Sequence, residues 1–290
     1  MSHVQREIAS QPECWSRALE TGAEGLPRTG ERVAVIGCGT SLYIAQAYAS
    51  MREAAGLGET DAFAASEYPA ARTYDRLLAI TRSGTTTEVL DALGRAEHLP
   101  TVAITGDLST PISAAAKTLV DLEFADEKSV VQTRFATTAL ALLRGHLGLA
   151  PADLPEQARR ALSEPLPEGA VEAKQITFLG AGWTVGVANE AALKLREAAI
   201  SWTESYPGME YRHGPISISG PDTLVWFFGE PPTGLVEQVL AVGAQVSVSD
   251  LDPMADLIRA QRLAVARAEL GGMDPDRPRN LTRSIVLNQP

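Results

Sequence analysis

The sequence contains the same pattern twice, which is the feature that most restricts its fold. Residues 33–41 read VAVIGCGTS, and residues 176–184 read ITFLGAGWT. Each is a β-favouring apolar run that ends in Gly-x-Gly followed by a hydroxyl residue. An alanine-rich run containing Arg-Glu-Ala-Ala follows each copy, at residues 52–55 and 196–199. A pattern that recurs in the same order along a chain indicates a repeated structural unit. We therefore predict two copies of one α/β unit.

The first copy alternates apolar runs with helical runs. Its apolar runs are typical of strands buried on both faces, as in a parallel sheet. Alternation of strands and helices indicates a doubly wound architecture. The predicted fold class is α/β, with two tandem three-layer α/β/α sandwich subdomains and mainly parallel sheets. The expected strands of the first copy are Val33–Ile36, Ala62–Ala65, Leu77–Thr81, Thr101–Thr105 and Leu119–Leu122, and its expected helices are Leu42–Ala55, Thr87–Glu97 and Thr133–His146.

A cluster of prolines predicts the domain boundary. Four prolines lie between residues 151 and 167, around one short helical run. The second copy is shorter, with one helical run (255–270) between Val248 and the tail, so we expect its sheet to lack a strand. The expected division is a helical segment over 1–30, a first domain over 31–150, a linker over 151–171, a second domain over 172–275 and a tail over 276–290.

Composition excludes several classes of function. The 290 residues include 25 basic and 36 acidic side chains, a net charge of −11 that disfavours nucleic-acid binding. No run of 18 apolar residues indicates a membrane span, and the polar start is unlike a signal peptide. Two cysteines cannot form a disulfide framework or a cysteine-rich metal site. We expect a cytoplasmic protein that acts on small molecules.

Three polar loops follow predicted strands of the first copy, where an open parallel sheet binds its ligands. The glycine loop, Gly37–Ser41, turns into a helix whose amino-terminal amides attract anions, although its glycines could serve the turn alone. The hydroxyl loop, Thr81–Thr87, carries five hydroxyls and one arginine. Hydroxyls, amides and a helix dipole together suit a phosphate monoester; the alternative is a helix cap with spare threonines. A third loop, Asp126–Arg134, could by itself be a solvated charged turn.

These loops, in this order, resemble the motifs of the sugar isomerase (SIS) domain family. The resemblance covers nearly the whole chain. The order of the motifs is similar to that in the isomerase half of glucosamine-6-phosphate synthase. It implies a sugar-phosphate ligand and neither metal nor cofactor. The family includes isomerases, amino-sugar deaminases, deglycases and sugar-phosphate sensors. The matching motifs are QREIASQP from Gln5, CGTS from Cys38, the hydroxyl loop from Thr81, the loop before Thr133, ALKLREAAI from Ala192, EYRHGP from Glu210 and DRPRNLTRSIVL from Asp276.

The resemblance assigns ligand contacts by position. It implies that the hydroxyl loop binds the phosphate, and that a positive charge at Arg82, where the synthase has a neutral amide, strengthens that hold. The implied phosphate contacts are Thr81, Arg82, Ser83 and Thr86, and the implied sugar contacts are Ser41, Val130, Gln132, Thr282 and Arg283.

The resemblance also implies acid–base groups in the second copy. Glu197 follows Lys194 by three residues, a spacing that by itself indicates a surface ion pair. By its match to the family, Glu197 moves a proton between C1 and C2, a step that suits a carboxylate, and Lys194 stabilises the developing charge. His213, which in isolation would be structural, matches the histidine that opens the sugar ring. In relatives this histidine reaches the neighbouring subunit, which implies a homodimer.

The sequence departs from the family pattern at several positions. Arg283 replaces a lysine that can form an imine, and a guanidinium is not a practical nucleophile. Gln132 replaces a serine that contacts sugar, and Thr85 replaces an acidic residue of the hydroxyl loop. No glutaminase segment or amino-terminal cysteine nucleophile is present, so we expect that the chain does not draw ammonia from glutamine.

The sequence is consistent with three functions. The first is an enzyme that isomerises, deaminates or deglycates an amino-sugar or sugar–amine phosphate by an enediol or enolamine route. It is favoured because Glu197, Lys194 and His213 are all retained. The second is a sugar-phosphate sensor without turnover, favoured by the loss of the tail lysine. The third is an isomerase subunit partnered by a separate glutaminase chain. The sugar and the fate of its nitrogen are not indicated.

Overall fold

A computed structural model describes residues 1–22 and 24–287, which form two compact units. The five-strand unit comprises residues 13–128, 132–152 and the tail from Thr282. The four-strand unit comprises residues 1–12, 129–131 and 153–281. The amino-terminal segment and the loop before Thr133 are therefore each shared between the units.

The five-strand unit contains a parallel sheet in the order β2-β1-β3-β4-β5. β1 and β4 are buried along their whole length, which explains their uninterrupted apolar sequences. The prediction of this sheet is confirmed, with β4 matched to the residue. The strands are β1 Val33–Gly37, β2 Thr60–Ala64, β3 Arg76–Thr81, β4 Thr101–Thr105 and β5 Thr118–Asp121, and the helices are α3 Thr40–Ala54, α4 Thr87–Arg95, α5 Ile112–Ala115 and α6 Arg134–His146.

The four-strand unit repeats this topology. Its sheet is parallel with the order β7-β6-β8-β9, which matches the first four strands of the other sheet. Within the described residues this sheet has one strand fewer, as the short second copy predicts. The strands are β6 Gln175–Gly180, β7 Thr203–Pro207, β8 Thr223–Phe228 and β9 Gln245–Ser247, and the helices are α1 His3–Ala9, α7 Leu154–Ser163, α8 Thr184–Ala199, α9 Leu235–Ala241 and α10 Pro253–Leu270.

Helix α2, Gln11–Glu20, begins in the four-strand unit and ends in the five-strand unit. The predicted linker contains α7, which packs on α10 within the four-strand unit. Across residues 1–22 and 24–287, no helix has the length and apolar character needed to cross a membrane.

Candidate functional site

The glycine loop and the hydroxyl loop lie next to each other at the carboxyl edge of the five-strand sheet. They follow β1 and β3, which pair directly, with Val35 opposite Leu78. Chain connections leave these two strands toward opposite sides of the sheet, because β2 pairs with the other edge of β1. Ligands of doubly wound sheets bind at such a switch point.

The hydroxyl loop brings two hydroxyls together at the start of α4. Gly84 has a φ of +62°, and a Cβ there would collide with the Thr110 hydroxyl, so only glycine fits. Gly84 N donates to Thr81 Oγ1 at 3.3 Å, and Thr85 N donates to Ser83 Oγ at 3.3 Å. Ser83 Oγ lies 3.5 Å from Thr86 Oγ1. Ser83 and Thr86 therefore form a convergent hydroxyl pair beside a helix amino terminus, where an anion is stabilised.

The side chain of Arg82 lies inside the five-strand unit, with 1% of its surface exposed. Its Nη2 donates to the carbonyl of Arg283 at 3.0 Å, and its Nη1 lies 3.8 Å from Glu127 Oε2. The guanidinium thus faces the tail and a buried carboxylate.

Glu127 orders the third loop. Its carboxylate accepts hydrogen bonds from Thr133 N at 2.7 Å, Thr133 Oγ1 at 2.9 Å and Arg134 N at 2.8 Å. These donors lie at the beginning of α6, where the helix dipole also favours a negative charge. The side chain is fully buried, so this loop is not a solvated charged turn.

The remaining implied sugar contacts of the first copy are Ser41, Val130 and Gln132, which are divided between the two units. Ser41 is buried in the first turn of α3, after the glycine loop. Val130 belongs to a short segment in the four-strand unit, where Ser129 N donates to Glu7 Oε1 at 3.3 Å. Gln132 belongs to the five-strand unit, and its Oε1 is buried with no hydrogen-bond partner among the described residues. That oxygen is a free acceptor.

The tail contacts the third loop within the five-strand unit. Arg283 Nη2 donates to Asp126 Oδ1 at 2.6 Å, and Nη1 donates to the carbonyl of Glu127. Thr282 Oγ1 donates to the carbonyl of Ser284 at 2.9 Å. Arg283 therefore engages the third loop with both ends of its guanidinium.

A buried lysine lies between two carboxylates on α8 of the four-strand unit. Lys194 Nζ is 2.6 Å from Glu197 Oε2 and 3.4 Å from Glu190 Oε1. Lys194 and Glu190 are 1% and 0% exposed, whereas Glu197 is 19% exposed. The pair is therefore not the solvated ion pair that its spacing alone indicates. Sequence reasoning missed Glu190, although its i, i+4 spacing to Lys194 was the available signal.

The exposed part of Glu197 opens onto two cavities of about 210 and 410 Å³ in the four-strand unit. Ile200 and Arg279 line both cavities. Ile200 has a φ of +50°, a strained conformation for a β-branched residue, and such strain is concentrated at functional sites.

His213 lies at the opposite end of the four-strand unit from Glu197. Glu197 is near the end of α8, where Arg196 Nη1 donates to the carbonyl of Thr203, the first residue of β7. His213 is exposed in a 3₁₀ helix that follows the last residue of β7. A strand of five residues spans roughly 16 Å, and the chain segments that carry Glu197 and His213 are next to its opposite ends.

Cys38 in the glycine loop is a partly buried, packed side chain. Burial, and after it the negative charge of Glu88, raise the pKa of its thiol. A thiol of this kind is a poor nucleophile near neutral pH. In the part of the chain that the structure describes, no three His, Cys, Asp or Glu side chains cluster as a metal site would require.

Several known proteins are similar to this chain in sequence or in fold. No protein-family model matches the chain. It is 26% identical over 299 residues to the glutamine–fructose-6-phosphate aminotransferase (isomerizing) of Sulfurisphaera tokodaii, covering 90% of this chain and 51% of that protein. The chain thus spans about half the length of the curated relatives that it matches.

Two solved structures have the same fold. Glucosamine-6-phosphate deaminase from Thermotoga maritima superimposes with a TM-score of 0.81 and 24% identity, covering 99% of this chain and all of that one. The C-terminal domain of the glucosamine-fructose-6-phosphate aminotransferase from Francisella tularensis has a TM-score of 0.78 and 20% identity, covering 96% and 98%.

Proposed function

We propose that this chain, which has the tandem sugar isomerase (SIS) fold and is related to the isomerizing aminotransferases, is an enzyme acting on an amino-sugar or sugar–amine phosphate. The reaction is an isomerisation, a deamination or a deglycation, and all three pass through an enediol or enolamine.

One observation carries the proposal: a buried lysine is paired with a carboxylate that opens onto a cavity. The ammonium of Lys194 lies between Glu190 and Glu197, and only Glu197 is partly exposed. Of the two carboxylates beside the ammonium, Glu197 is the one that lines a cavity, where a substrate carbon can approach it. A surface role would not require Lys194 and Glu190 to be removed from water, which is costly.

The chemistry follows from this pair. The Glu197 carboxylate removes a proton from the carbon next to the carbonyl or iminium of the substrate, and the C–H electrons form the enediol or enolamine. Glu197 then returns the proton to the neighbouring carbon. In an isomerisation this completes the reaction, whereas in a deamination or deglycation it gives an imine, which one water molecule hydrolyses to a carbonyl with release of ammonia or the amine. The ammonium of Lys194 stabilises negative charge as it develops.

The phosphate is assigned to the hydroxyl loop. Ser83 and Thr86 present converging hydroxyls beside the first turn of α4, and Thr81 fixes the turn through Gly84 N. Donors that converge at a helix amino terminus suit a dianion. The same proposal assigns the sugar contacts to Ser41, Val130, Gln132 and Thr282. The buried Oε1 of Gln132 can accept a hydrogen bond from a sugar hydroxyl.

His213 acts in this proposal from a second copy of the chain. The topology supports it, because His213 and Glu197 lie at opposite ends of β7 in one chain. A homodimer in which each copy supplies His213 to the other would bring together a ring-opening proton carrier and the base.

A sensor without turnover is the second candidate. It is favoured by Arg283, whose guanidinium is held by Asp126 and by the Glu127 carbonyl and cannot form an imine. A panel of hexose and amino-hexose 6-phosphates, screened by thermal shift and then by NMR, separates the candidates. Exchange of a C1 or C2 proton, or release of ammonia or an amine, supports the enzyme; stabilisation without chemical change supports the sensor.

A further inference from the structure

Arg82 and Thr85 of the hydroxyl loop both contact the tail. Arg82 Nη2 donates to the backbone carbonyl of Arg283 at 3.0 Å. Thr85 Oγ1 lies 2.9 Å from the hydroxyl of Ser284, the next residue of the tail. Two residues of the hydroxyl loop thus contact the tail, one at Arg283 and one at Ser284.

Backbone hydrogen bonds extend this contact along the tail. Thr87 N, at the start of α4, donates to the carbonyl of Ile285 at 3.1 Å. Leu287 N donates to Thr87 Oγ1 at 2.9 Å. The tail therefore runs along the side of the hydroxyl loop that carries Thr85 and Thr87, and these bonds do not involve the hydroxyls of Ser83 and Thr86.

Arg283 joins the tail to the third loop through its side chain. The two ends of its guanidinium bind Asp126 Oδ1 and the Glu127 carbonyl. A planar fork can hold two acceptors at once, whereas a lysine ammonium lacks that fixed geometry. Arg283 is thus suited to hold the tail against the third loop.

The burial of Arg82 argues against direct phosphate binding by its side chain. Its guanidinium lies 3.8 Å from a carboxylate of Glu127 that is 0% exposed. Turning the guanidinium toward a ligand would separate two buried charges, which is strongly unfavourable. The same movement would break the bond to the Arg283 carbonyl.

We propose that Arg82 and Arg283 are positioning residues that clasp the tail to the hydroxyl loop, and that the phosphate is bound without the side chain of Arg82. Arg82 holds the tail from the hydroxyl loop, and Arg283 holds it from the third loop. The phosphate part of this inference rests on the proposed function of the hydroxyl loop, whereas the clasp itself does not.

The clasp is tested first without any ligand, by hydrogen–deuterium exchange of tail residues 283–287. In R82Q and in R283A we expect the tail amides to exchange at least about 10-fold faster than in the wild type, since each variant removes one side of the clasp. R283K should give an intermediate rate, because it keeps the charge opposite Asp126 but not the fork. R159A, which removes an exposed arginine of α7, is the control and should leave the tail unchanged. Wild-type exchange in the tail of R283A would overturn the proposal.

Inorganic phosphate is the second probe, titrated by calorimetry. We expect the Kd of R82Q and of R283A to lie within about 3-fold of the wild type. A Kd at least 10-fold weaker in R82Q, with normal tail exchange, would show that Arg82 binds the phosphate directly and would overturn the proposal. Because R82Q leaves the buried Glu127 without that cation, the half-buried position 283 provides a second test.

The two proposals fail separately. If the wild-type chain binds neither phosphate nor any hexose 6-phosphate, the proposed function of the hydroxyl loop is contradicted. Tail exchange in the ligand-free variants still decides whether the clasp exists.

Discussion

Lys194 Nζ lies 2.6 Å from Glu197 Oε2. The lysine side chain is buried, whereas the glutamate side chain is partly exposed to solvent. Glu190, on the preceding turn of α8, lies 3.4 Å from the same ammonium and is fully buried. The helix thus holds one charge pair inside the protein and presents the outer carboxylate to a cavity. This arrangement has consequences for stability as well as for chemistry.

Replacing Lys194 should strongly destabilise the protein. We expect K194M to lower the free energy of unfolding by about 3–5 kcal/mol, because it removes a cation that lies 3.4 Å from the buried carboxylate of Glu190. Urea denaturation at pH 7 measures the change, and K194M/E190Q should recover part of it. K174M, which breaks a pair whose lysine is 79% exposed, is the control, with an expected change within about 0.5 kcal/mol. Equal losses in K194M and K174M would contradict this account.

Replacing Ser83 should weaken phosphate binding more than it affects folding. A hydrogen bond to a charged group contributes about 1.5–3 kcal/mol, so we expect S83A to raise the Kd of a phosphate ligand about 10- to 100-fold. Titration calorimetry measures the affinity, and thermal denaturation without ligand checks the fold. S109A, which removes an exposed hydroxyl after β4, should bind as the wild type does. Unchanged affinity in S83A would remove the hydroxyl pair from the site.

Glu31 should make stability depend on pH through its contact with Arg76. Two hydrogen bonds of 2.8 Å from the Arg76 guanidinium hold the pKa of the Glu31 carboxyl below its usual range. A lowered folded-state pKa contributes stability that is fully present above the unfolded value, near 4.3, and is lost as the pH falls through the folded value. The wild type should therefore exceed E31Q in stability at pH 7, and the difference should shrink toward pH 3.

Urea denaturation of both proteins across this pH range provides the measurement. A difference between wild type and E31Q that stays constant from pH 7 to pH 3 would show that the Glu31 charge does not contribute as described.

The sequence was sufficient to predict the strands of the five-strand sheet, most closely where a buried parallel strand is an uninterrupted apolar run. Thr101–Thr105 was predicted to the residue, and the repeat predicted that the second sheet would have the topology of the first. Helix α3 begins at Thr40, two residues before the expected start, because the backbone already turns at Gly39 with a φ of +55°. β7 was not predicted, since the sequence TESYP has no apolar pattern.

The contacts of the candidate site could be predicted only in part. The i, i+4 spacing of Glu190 to Lys194 indicates that the two side chains can pair, but it does not indicate that the pair is buried. The tail contacts join residues about 200 positions apart, such as Thr87 and Ile285, and periodicity carries no information about such pairs. The expectation that Arg82 strengthens phosphate binding came from the family match of its position and from its charge, and it stays a prediction. The orientation of its side chain depends on Glu127 and on the tail, which neither signal indicates.

The central claim is that Glu197 transfers a proton of a sugar phosphate, and solvent exchange tests it most directly. Hexose and amino-hexose 6-phosphates are incubated in D₂O with the wild type, with E197Q and with E156Q, a control at an exposed carboxylate of α7. NMR then follows deuterium at C1 and C2. We expect the wild type and E156Q to exchange at least one of these phosphates, and E197Q to bind it with exchange slowed by at least about 100-fold. Exchange at the wild-type rate in E197Q would contradict the claim.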